Sequence, residues 1–165
     1  MDTWLAVASK RDWRSYADRP VPEDVQQRIL DAGRLSGSSV NKQPWLFVVV
    51  ESDDAKERIA EVVYAGENIR TCAFAVAIAT DGGKYPFDVG RALQNMFLTA
   101  WNEGVVSCPN GQRDPEAVER LVGAPVGAVL TFGYPAKPRD PESRSAEEWS
   151  GRANRKPFEE VVRRI

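Results

Sequence analysis

Residues 87–108 of the chain, FDVGRALQNMFLTAWNEGVVSC, combine a long amphipathic pattern with a short apolar run. Apolar residues recur at helical spacing as far as Trp101, and Gly104 ends the pattern, so residues 87–103 are predicted to form the main helix. The apolar stripe is broad, which leaves two interpretations open: burial in the core of its own subunit, or additional contact with a second subunit. Residues 105–108 are predicted to form a short strand.

Helices and strands alternate on both sides of this segment. Apolar residues at helical spacing, together with capping residues, predict further helices at residues 2–9, 22–35, from 53 onward and 114–123. Apolar runs rich in β-branched residues predict further strands at residues 46–50, 73–79 and 129–134.

The composition changes after the last predicted strand. Residues 135–156 are rich in Pro, Arg, Glu and Ser and show no periodicity, so we expect them to run over a surface. They lead into an apolar group at 157–162. A segment of this kind is expected to be an arm that docks on its own subunit or on a neighbour.

The overall composition is typical of a soluble protein of one domain. The chain has 165 residues, of which 42% are hydrophobic and 28% charged, and its formal net charge is -2. Basic residues cluster only near the two ends, which suits one phosphate group and not a nucleic acid. No stretch is long and apolar enough for a membrane span, and the first residues lack the pattern of a secretion signal. A cytoplasmic location is therefore expected.

The chain contains no histidine. Ser-His-Asp and Cys-His catalysis and histidine acid-base chemistry are therefore excluded. Cys72 and Cys108 cannot form a metal site by themselves, so no metal is expected and both are predicted to be free thiols in the core. We expect a bound cofactor to supply the chemistry, with no side chain acting as a catalytic residue.

Basic residues near the two ends are candidates for binding an anion. In the run KRDWR, the side chains of Lys10, Arg11 and Arg14 suit either one phosphate group or a solvated basic turn. Arg152 and Arg155 lie at the end of the predicted arm, where a phosphate or an acidic neighbour would be their partner.

A polar loop, SGSSVNKQPW at residues 36–45, precedes a predicted strand. Its hydroxyl and amide groups suit directional hydrogen bonds to a heteroaromatic ring, and ligand sites favour the mouths of sheets. The same residue types are also ordinary turn formers, so both interpretations stay open.

Four blocks of the sequence resemble FMN-dependent nitroreductases. KRDWRSY at 10–16 resembles the family's opening signature R-R-S-x-R-x-F/Y, and RLSGSSVNKQPWLFVVV at 34–50 resembles its P-S-x-x-N-x-Q-P-W-x-F signature. The resemblance continues through residues 88–108 and GAPVGAVLTFGYPA, and it ends with RKPFEEVV. It therefore covers nearly the whole chain, in the family's order.

The resemblance implies a fold and an assembly. The expected fold is α+β, a nitroreductase-like three-layer sandwich with a central mixed, mostly antiparallel sheet flanked by helices, in an intertwined homodimer. Residues 1–165 are expected to form a single domain, with 135–165 an extended C-terminal arm that docks on the dimer.

The resemblance also implies which residues bind FMN. The basic residues match those that hold the phosphate and ribityl groups: Lys10, Arg11, Arg14, Arg152 and Arg155. The loop side chains match those that reach the flavin of the other subunit, with Gln43 as support for the loop: Ser38, Ser39 and Asn41. The turn after the strand at 105–108 matches the one whose backbone amides approach the flavin N5 edge: Pro109, Asn110 and Gly111.

The implied reaction is a ping-pong hydride transfer. NADH or NADPH reduces the flavin at N5 and leaves, and a small electrophilic acceptor such as a nitroaromatic or a quinone is then reduced in the same place. No protein acid or base is required, which is compatible with the absence of histidine. Trp45, Trp101 and Tyr64 are candidates for substrate contact, with core packing as the alternative role of each.

Three other functions remain open on the sequence. One is a protein that binds or sequesters flavin without significant turnover. Another is a divergent flavoenzyme on the same fold, such as a dehydrogenase or a dehalogenase. The third is an interaction protein that has kept the dimer and lost the cofactor.

The chain also departs from the family pattern. Lys10 replaces an arginine, Gly37 replaces a proline, and Asp12 replaces a serine beside the phosphate, where a carboxylate repels an anion unless the neighbouring arginines neutralise it. Residues 50–88 leave no room for the helical excursion that covers the active site in larger members. We therefore expect a more open pocket, or one capped by residues 135–156.

Overall fold

The structure is a computed structural model that describes residues 1–83 and 85–165. Contacts within the chain divide it into two units. We call Arg11–Pro138 the core unit, and Met1–Lys10 together with Arg139–Ile165 the terminal unit.

Four strands of the core unit form one sheet. They are β1 (Trp45–Val50), β2 (Phe74–Thr80), β3 (Val106–Asn110) and β4 (Val126–Gly133). Their lateral order is β1-β2-β4-β3, so β1 and β3 are the edge strands, and all three neighbouring pairs are antiparallel. One isolated parallel bridge, between Asp12 and Ser107, adds a parallel element at the β3 edge.

Eight helices accompany the sheet in the described ranges. The core unit contains α2 (Glu23–Arg34), α3 (Asp53–Ala60), α4 (Gly66–Thr71), α5 (Pro86–Asn102) and α6 (Pro115–Val122). The terminal unit contains α1 (Thr3–Ser9), α7 (Ala146–Gly151) and α8 (Phe158–Val161). None of the helices in these ranges is long and apolar enough to cross a membrane.

The helices of the core unit cover both faces of the sheet. Alternate residues of β2 point to opposite faces: Val76 belongs to a cluster with residues of α2 and α5, and Ala75 to a second cluster with residues of α3, α4 and α6. Because both faces are covered, β2 is apolar along its length, as expected for a strand buried on both sides. The predicted three-layer α+β sandwich is confirmed.

Local sequence signals explain where several helices begin and end. The Asp2 side chain accepts a hydrogen bond from the Leu5 N–H at the start of α1, and Ser52 does the same for Ala55 at the start of α3. Gly123 ends α6 with a φ of 85°, a left-handed conformation that glycine adopts without a steric cost.

The terminal unit is more regular than the sequence indicates. A capping box between Ser145 and Glu148 begins α7, and the Trp149 indole N–H donates to the Pro141 carbonyl at 2.7 Å. Helix α7 packs against α1. The prediction of an irregular 135–156 segment is therefore wrong over α7, because a helix of six residues is too short to show a period.

Candidate functional site

Residues 11–14, which we call the basic segment, lie extended beside β3. Asp12 forms the parallel bridge to Ser107, and the Trp13 N–H donates to the Ser107 carbonyl at 3.1 Å. Arg11 and Arg14 stand on either side of this pairing. The fold thus places two of the predicted phosphate-binding cations at the β3 edge.

A surface cavity of about 390 Å³ opens beside this segment. It is lined by Asp12, Trp13, Arg14, Ser15 and Lys137. Two cations against one carboxylate give the lining a net positive charge, which suits a single anionic group. The sequence analysis missed Lys137, because it stands in a polar run after β4 that resembles an ordinary surface segment.

The far end of β3 differs from the prediction. Of the three residues predicted for the turn after this strand, Pro109 and Asn110 belong to the strand itself, and Gly111 follows it. Pro109 has no N–H and cannot donate the expected backbone hydrogen bond, so that part of the prediction is wrong. The Asn110 side chain is buried, and its amide is used by hydrogen bonds inside the core unit. Gly111 is exposed, and its predicted approach to the flavin N5 edge stays a prediction.

An exposed aromatic ring stands beside Gly111. The Tyr64 N–H donates to the Gly111 carbonyl at 2.9 Å, and a Cβ on Gly111 would lie 3.1 Å from the Tyr64 ring. Tyr64 is 74% exposed, so core packing is excluded for its side chain. Trp101 is buried in one apolar cluster, and Trp45 is half-buried against the other. Of the three aromatic candidates, Tyr64 is the one that the fold places next to the site.

Two buried polar atoms near β3 lack a protein partner. In the described part of the core unit, two buried side-chain oxygen atoms have no hydrogen bond: Ser107 Oγ and Gln112 Oε1. Ser107 is paired with the basic segment, and Gln112 follows Gly111. Buried polar groups are usually satisfied, so unpartnered atoms at both ends of one edge are compatible with a polar ligand there.

The polar loop before β1 holds a strained conformation. Val40, Asn41 and Gln43 have φ values of 45°, 56° and 51°, which residues other than glycine rarely adopt. The loop is closed by its own hydrogen bonds, from the Gln43 N–H to Ser38 Oγ at 2.8 Å and from Gln43 Nε2 to the Asn41 carbonyl at 3.2 Å. Ser39 and Asn41 are exposed. Strain of this kind is typical of functional loops.

Contacts with α5 anchor the same loop. Asn95 Nδ2 donates to Ser36 Oγ at 2.7 Å, and the Lys42 ammonium donates to the Tyr85 hydroxyl. That hydrogen bond raises the pKa of Lys42 above its ordinary value, so the side chain keeps its charge. The loop is therefore fixed beside β1.

The loop and the basic segment lie at opposite edges of the sheet. Three interstrand spacings separate β1 from β3, which corresponds to roughly 14 Å. The fold places Arg11 and Arg14 beside β3, at one edge of the sheet. It places Ser38, Ser39 and Asn41 before β1, at the opposite edge.

Comparison with known proteins places this arrangement in a family. The model of the nitroreductase family matches residues 7–70 and 83–134, which include the basic segment, the polar loop and the strands β1, β3 and β4. The chain belongs to the nitroreductase family. The C-terminal part of the terminal unit lies outside the matched residues.

Several nitroreductase-family relatives resemble the chain over most of its length. A protein of Methanothermobacter thermautotrophicus, provisionally named NADH dehydrogenase/NAD(P)H nitroreductase, is 30% identical, over 90% of this chain and 88% of its own. A nitroreductase family protein from Clostridium difficile superposes with a TM-score of 0.81 at 20% identity, over 99% of this chain and 98% of its own. A protein from Desulfovibrio desulfuricans, provisionally named a nitroreductase and solved in complex with FMN, gives 0.80 at 23% identity, over 100% and 98% of the two chains.

The remaining predicted residues of this nitroreductase-family chain belong to the terminal unit. The Lys10 N–H donates to the Ala6 carbonyl and ends α1, and the Arg152 N–H donates to the Glu148 carbonyl and ends α7. The Arg155 guanidinium donates to the Ala153 carbonyl at 3.0 Å. Arg152 and Arg155 are exposed, and their proposed role in FMN binding is a prediction that only experiment tests.

Proposed function

We propose that the chain binds FMN along its β3 edge and acts as an oxidoreductase that takes electrons from NADH or NADPH. The observation that carries the proposal is the pairing of the basic segment with β3. It places the cavity of Arg14 and Lys137 and the exposed Gly111 on one edge. This edge therefore offers cations for a phosphate at one end and an accessible backbone for a flat ring at the other.

Each group on this edge has a distinct role. Arg14 and Lys137, with Arg11, bind the phosphate through charge-assisted hydrogen bonds, and they outweigh the charge of Asp12. We call the end of β3 at Gly111 the ring end, because the exposed glycine leaves room there for the flavin ring. Tyr64 presents an aromatic face beside it. Bound FMN supplies hydride transfer, from the nicotinamide to a small electrophilic acceptor such as a nitroaromatic or a quinone. The protein orients the reactants, and hydride transfer through the flavin needs no histidine.

We further propose that the protein is a homodimer in which the polar loop completes the partner's site. The loop lies at the opposite edge from the cations of its own chain, so Ser38, Ser39 and Asn41 suit a flavin held by a second copy. Exposed apolar side chains stand directly before the loop, within it, directly after it and in the first turn of α5: Leu35, Val40, Leu46 and Phe87. Their exposure in a single chain is what a subunit interface explains.

The experiment is a pair of titrations with FMN and with riboflavin, which lacks the phosphate. Arg14→Ala should weaken FMN binding by roughly tenfold or more, since a hydrogen bond to a charged group contributes about 1.5–3 kcal/mol. Riboflavin binding should stay unchanged. Arg120→Ala, on the exposed face of α6, is the matched control and should bind both flavins as the wild type does.

Turnover separates the enzyme from its rivals. Anaerobic addition of NADH or NADPH should bleach the flavin bands, and a quinone or a nitroarene should restore them. Flavin uptake without bleaching would favour a flavin-sequestering protein. No uptake of FMN would overturn the proposal and favour an interaction protein.

A further inference from the structure

A continuous chain of hydrogen bonds runs through the interior of the core unit. Asn68 Nδ2 donates to Asn110 Oδ1 at 3.0 Å, and Asn110 Nδ2 donates to Thr131 Oγ1 at 3.2 Å. The Thr131 and Tyr16 hydroxyl oxygens lie 2.7 Å apart, and the Tyr16 hydroxyl donates to the Trp13 carbonyl at 3.0 Å. We call Asn68, Asn110, Thr131 and Tyr16 the buried polar chain. It connects α4, β3 and β4 with the basic segment.

The two hydroxyl groups of the chain each have two possible acceptors: the Trp13 carbonyl or Thr131 for Tyr16, and Tyr16 or the Cys108 carbonyl, at 3.1 Å, for Thr131. Tyr16 and Thr131 each carry a single hydroxyl proton. In the arrangement that keeps the chain continuous, Tyr16 donates to the Trp13 carbonyl and Thr131 donates to Tyr16. The second amide proton of Asn110 then supplies the Cys108 carbonyl at 3.1 Å. Every member has a partner in this arrangement, from α4 to the basic segment.

Burial makes the chain difficult to replace with water. Its four side chains are at most 9% exposed. Burial raises the pKa of Tyr16 above its usual range, so the hydroxyl stays protonated and remains a donor. Removal of one member leaves a buried neighbour without its partner, which costs more than the bond itself contributes.

The buried polar chain connects the two ends of the proposed flavin site, and Asn68 continues it into α4. The Trp13 carbonyl lies in the basic segment between Arg11 and Arg14. Asn110 directly precedes Gly111 at the ring end. From Ser107, which pairs with the basic segment, to Gly111 the strand covers four residues, or about 13 Å. A ligand held at both ends needs this spacing to stay constant.

We propose that the buried polar chain fixes the spacing between the phosphate-binding segment and the ring end of β3, which makes Tyr16, Thr131 and Asn110 positioning residues for the flavin. The inference rests on the FMN binding proposed above. The amide of Asn110 is fully used inside the core unit, so its role is to place the neighbouring backbone rather than to contact the ligand.

The test compares two substitutions at Thr131. Thr131→Val keeps the shape and removes the hydroxyl, whereas Thr131→Ser keeps the hydroxyl. FMN and riboflavin dissociation constants are measured for both variants, well below their melting temperatures. Thr131→Val should weaken FMN binding by about tenfold and riboflavin binding much less, because only FMN is gripped at both ends. Thr131→Ser should restore the ratio of the two constants to the wild-type value.

A control and a second variant separate positioning from stability. Cys72→Ala removes a buried thiol that belongs to the same apolar cluster as Tyr16 but not to the buried polar chain. It should leave the ratio unchanged. Tyr16→Phe cuts the chain at its end, so it should weaken FMN binding relative to riboflavin binding in the same way, and it replaces Thr131→Val if that variant fails to fold. The position of the bound flavin's visible absorption band gives a readout independent of activity, and it should shift with Thr131→Val and Tyr16→Phe alone.

The outcomes distinguish this inference from the proposed function. If the wild type binds FMN and the chain variants keep the wild-type ratio, the positioning role is overturned while the function stands. A shifted ratio in Cys72→Ala as well would also overturn it, because general destabilisation would then explain the effect. A wild type that takes up no FMN would overturn both.

Discussion

Val40 has the least favourable backbone of any residue in the polar loop. It is β-branched, its φ is 45°, and its side chain is 93% exposed, so packing within the chain does not offset the strain energy. Conformations of this kind cost of order 1–3 kcal/mol and persist where function requires them. The strain is therefore expected to serve the placement of Ser39 and Asn41 on either side of it.

Val40→Gly should stabilise the isolated chain. Glycine adopts a positive φ freely but loses about 0.5–1 kcal/mol in conformational entropy, so the free energy of unfolding should rise by about 1 kcal/mol. Urea denaturation measures the change. Val49→Gly, on β1 without a positive φ, is the control and should lower stability. A loss of stability in both variants would show that Val40 is not strained.

The Cys72 thiol gives the protein a predictable response to alkaline pH. Burial raises the pKa of Cys72 from 9.0 to about 11. Between these values the unfolded chain releases the thiol proton while the folded chain keeps it. The stability contributed by this group is therefore fully present below pH 9, and it is lost as the pH rises towards 11.

Urea denaturation between pH 8 and pH 11 should show this loss. The contribution of Cys72 to the slope approaches about 1.4 kcal/mol per pH unit. Cys72→Ala should flatten the profile by that amount. Tyr16, whose pKa is also raised by burial, should maintain part of the slope above pH 10 in both proteins. Parallel profiles for the two proteins would contradict the assignment to Cys72.

At the scale of single residues, the sequence predicts chemistry better than placement. The burial of both cysteines as free thiols is confirmed, whereas the role of the cations of the basic segment stays a prediction. Residue type alone could not show that Asn110 faces the core and Tyr64 faces solvent. These orientations depend on the register of β3 and on α4, which only the folded chain defines.

Among the elements of the core unit, α4 is a helix that the sequence pattern does not predict. It has six residues, begins at a glycine and has no side-chain cap, so it carries neither a period nor a start signal. Even so, it contributes Asn68 to the buried polar chain, and Tyr64 lies just before it. The short segment between α3 and β2 therefore occupies the neighbourhood of Gly111, where no covering helix was expected.

Gly66→Ala should test how tightly α4 packs. A Cβ at this position would lie 2.4 Å from the Ala60 backbone carbonyl, so the helix must shift and the protein should lose about 1–3 kcal/mol of stability. Gly90→Ala is the matched control, because it lies inside α5 with nothing within 4 Å of the added methyl group. It should gain about 0.5–1 kcal/mol. Equal effects in thermal or chemical denaturation would refute the close packing of α4.

At the scale of the whole molecule, strand order explains why one chain does not complete the proposed site. The local pattern predicts the strands, and the family resemblance implies a mixed, mostly antiparallel sheet. Lateral order depends on long-range pairing that local patterns do not encode. The order β1-β2-β4-β3 separates the polar loop from the basic segment by the width of the sheet. The proposed homodimer brings these two groups together across a subunit boundary, so assembly and flavin binding should be linked.

Phe87→Glu should test that link. Phe87 is 75% exposed in the first turn of α5, and a carboxylate buried there in an interface opposes association. Light scattering should give twice the chain mass for the wild type and for Arg120→Glu, and a single chain mass for Phe87→Glu. FMN affinity should fall together with dimerisation, because the monomer lacks the partner's loop. A monomeric variant that binds FMN as the wild type does would separate the loop from the site, and a dimeric Phe87→Glu would place the interface elsewhere.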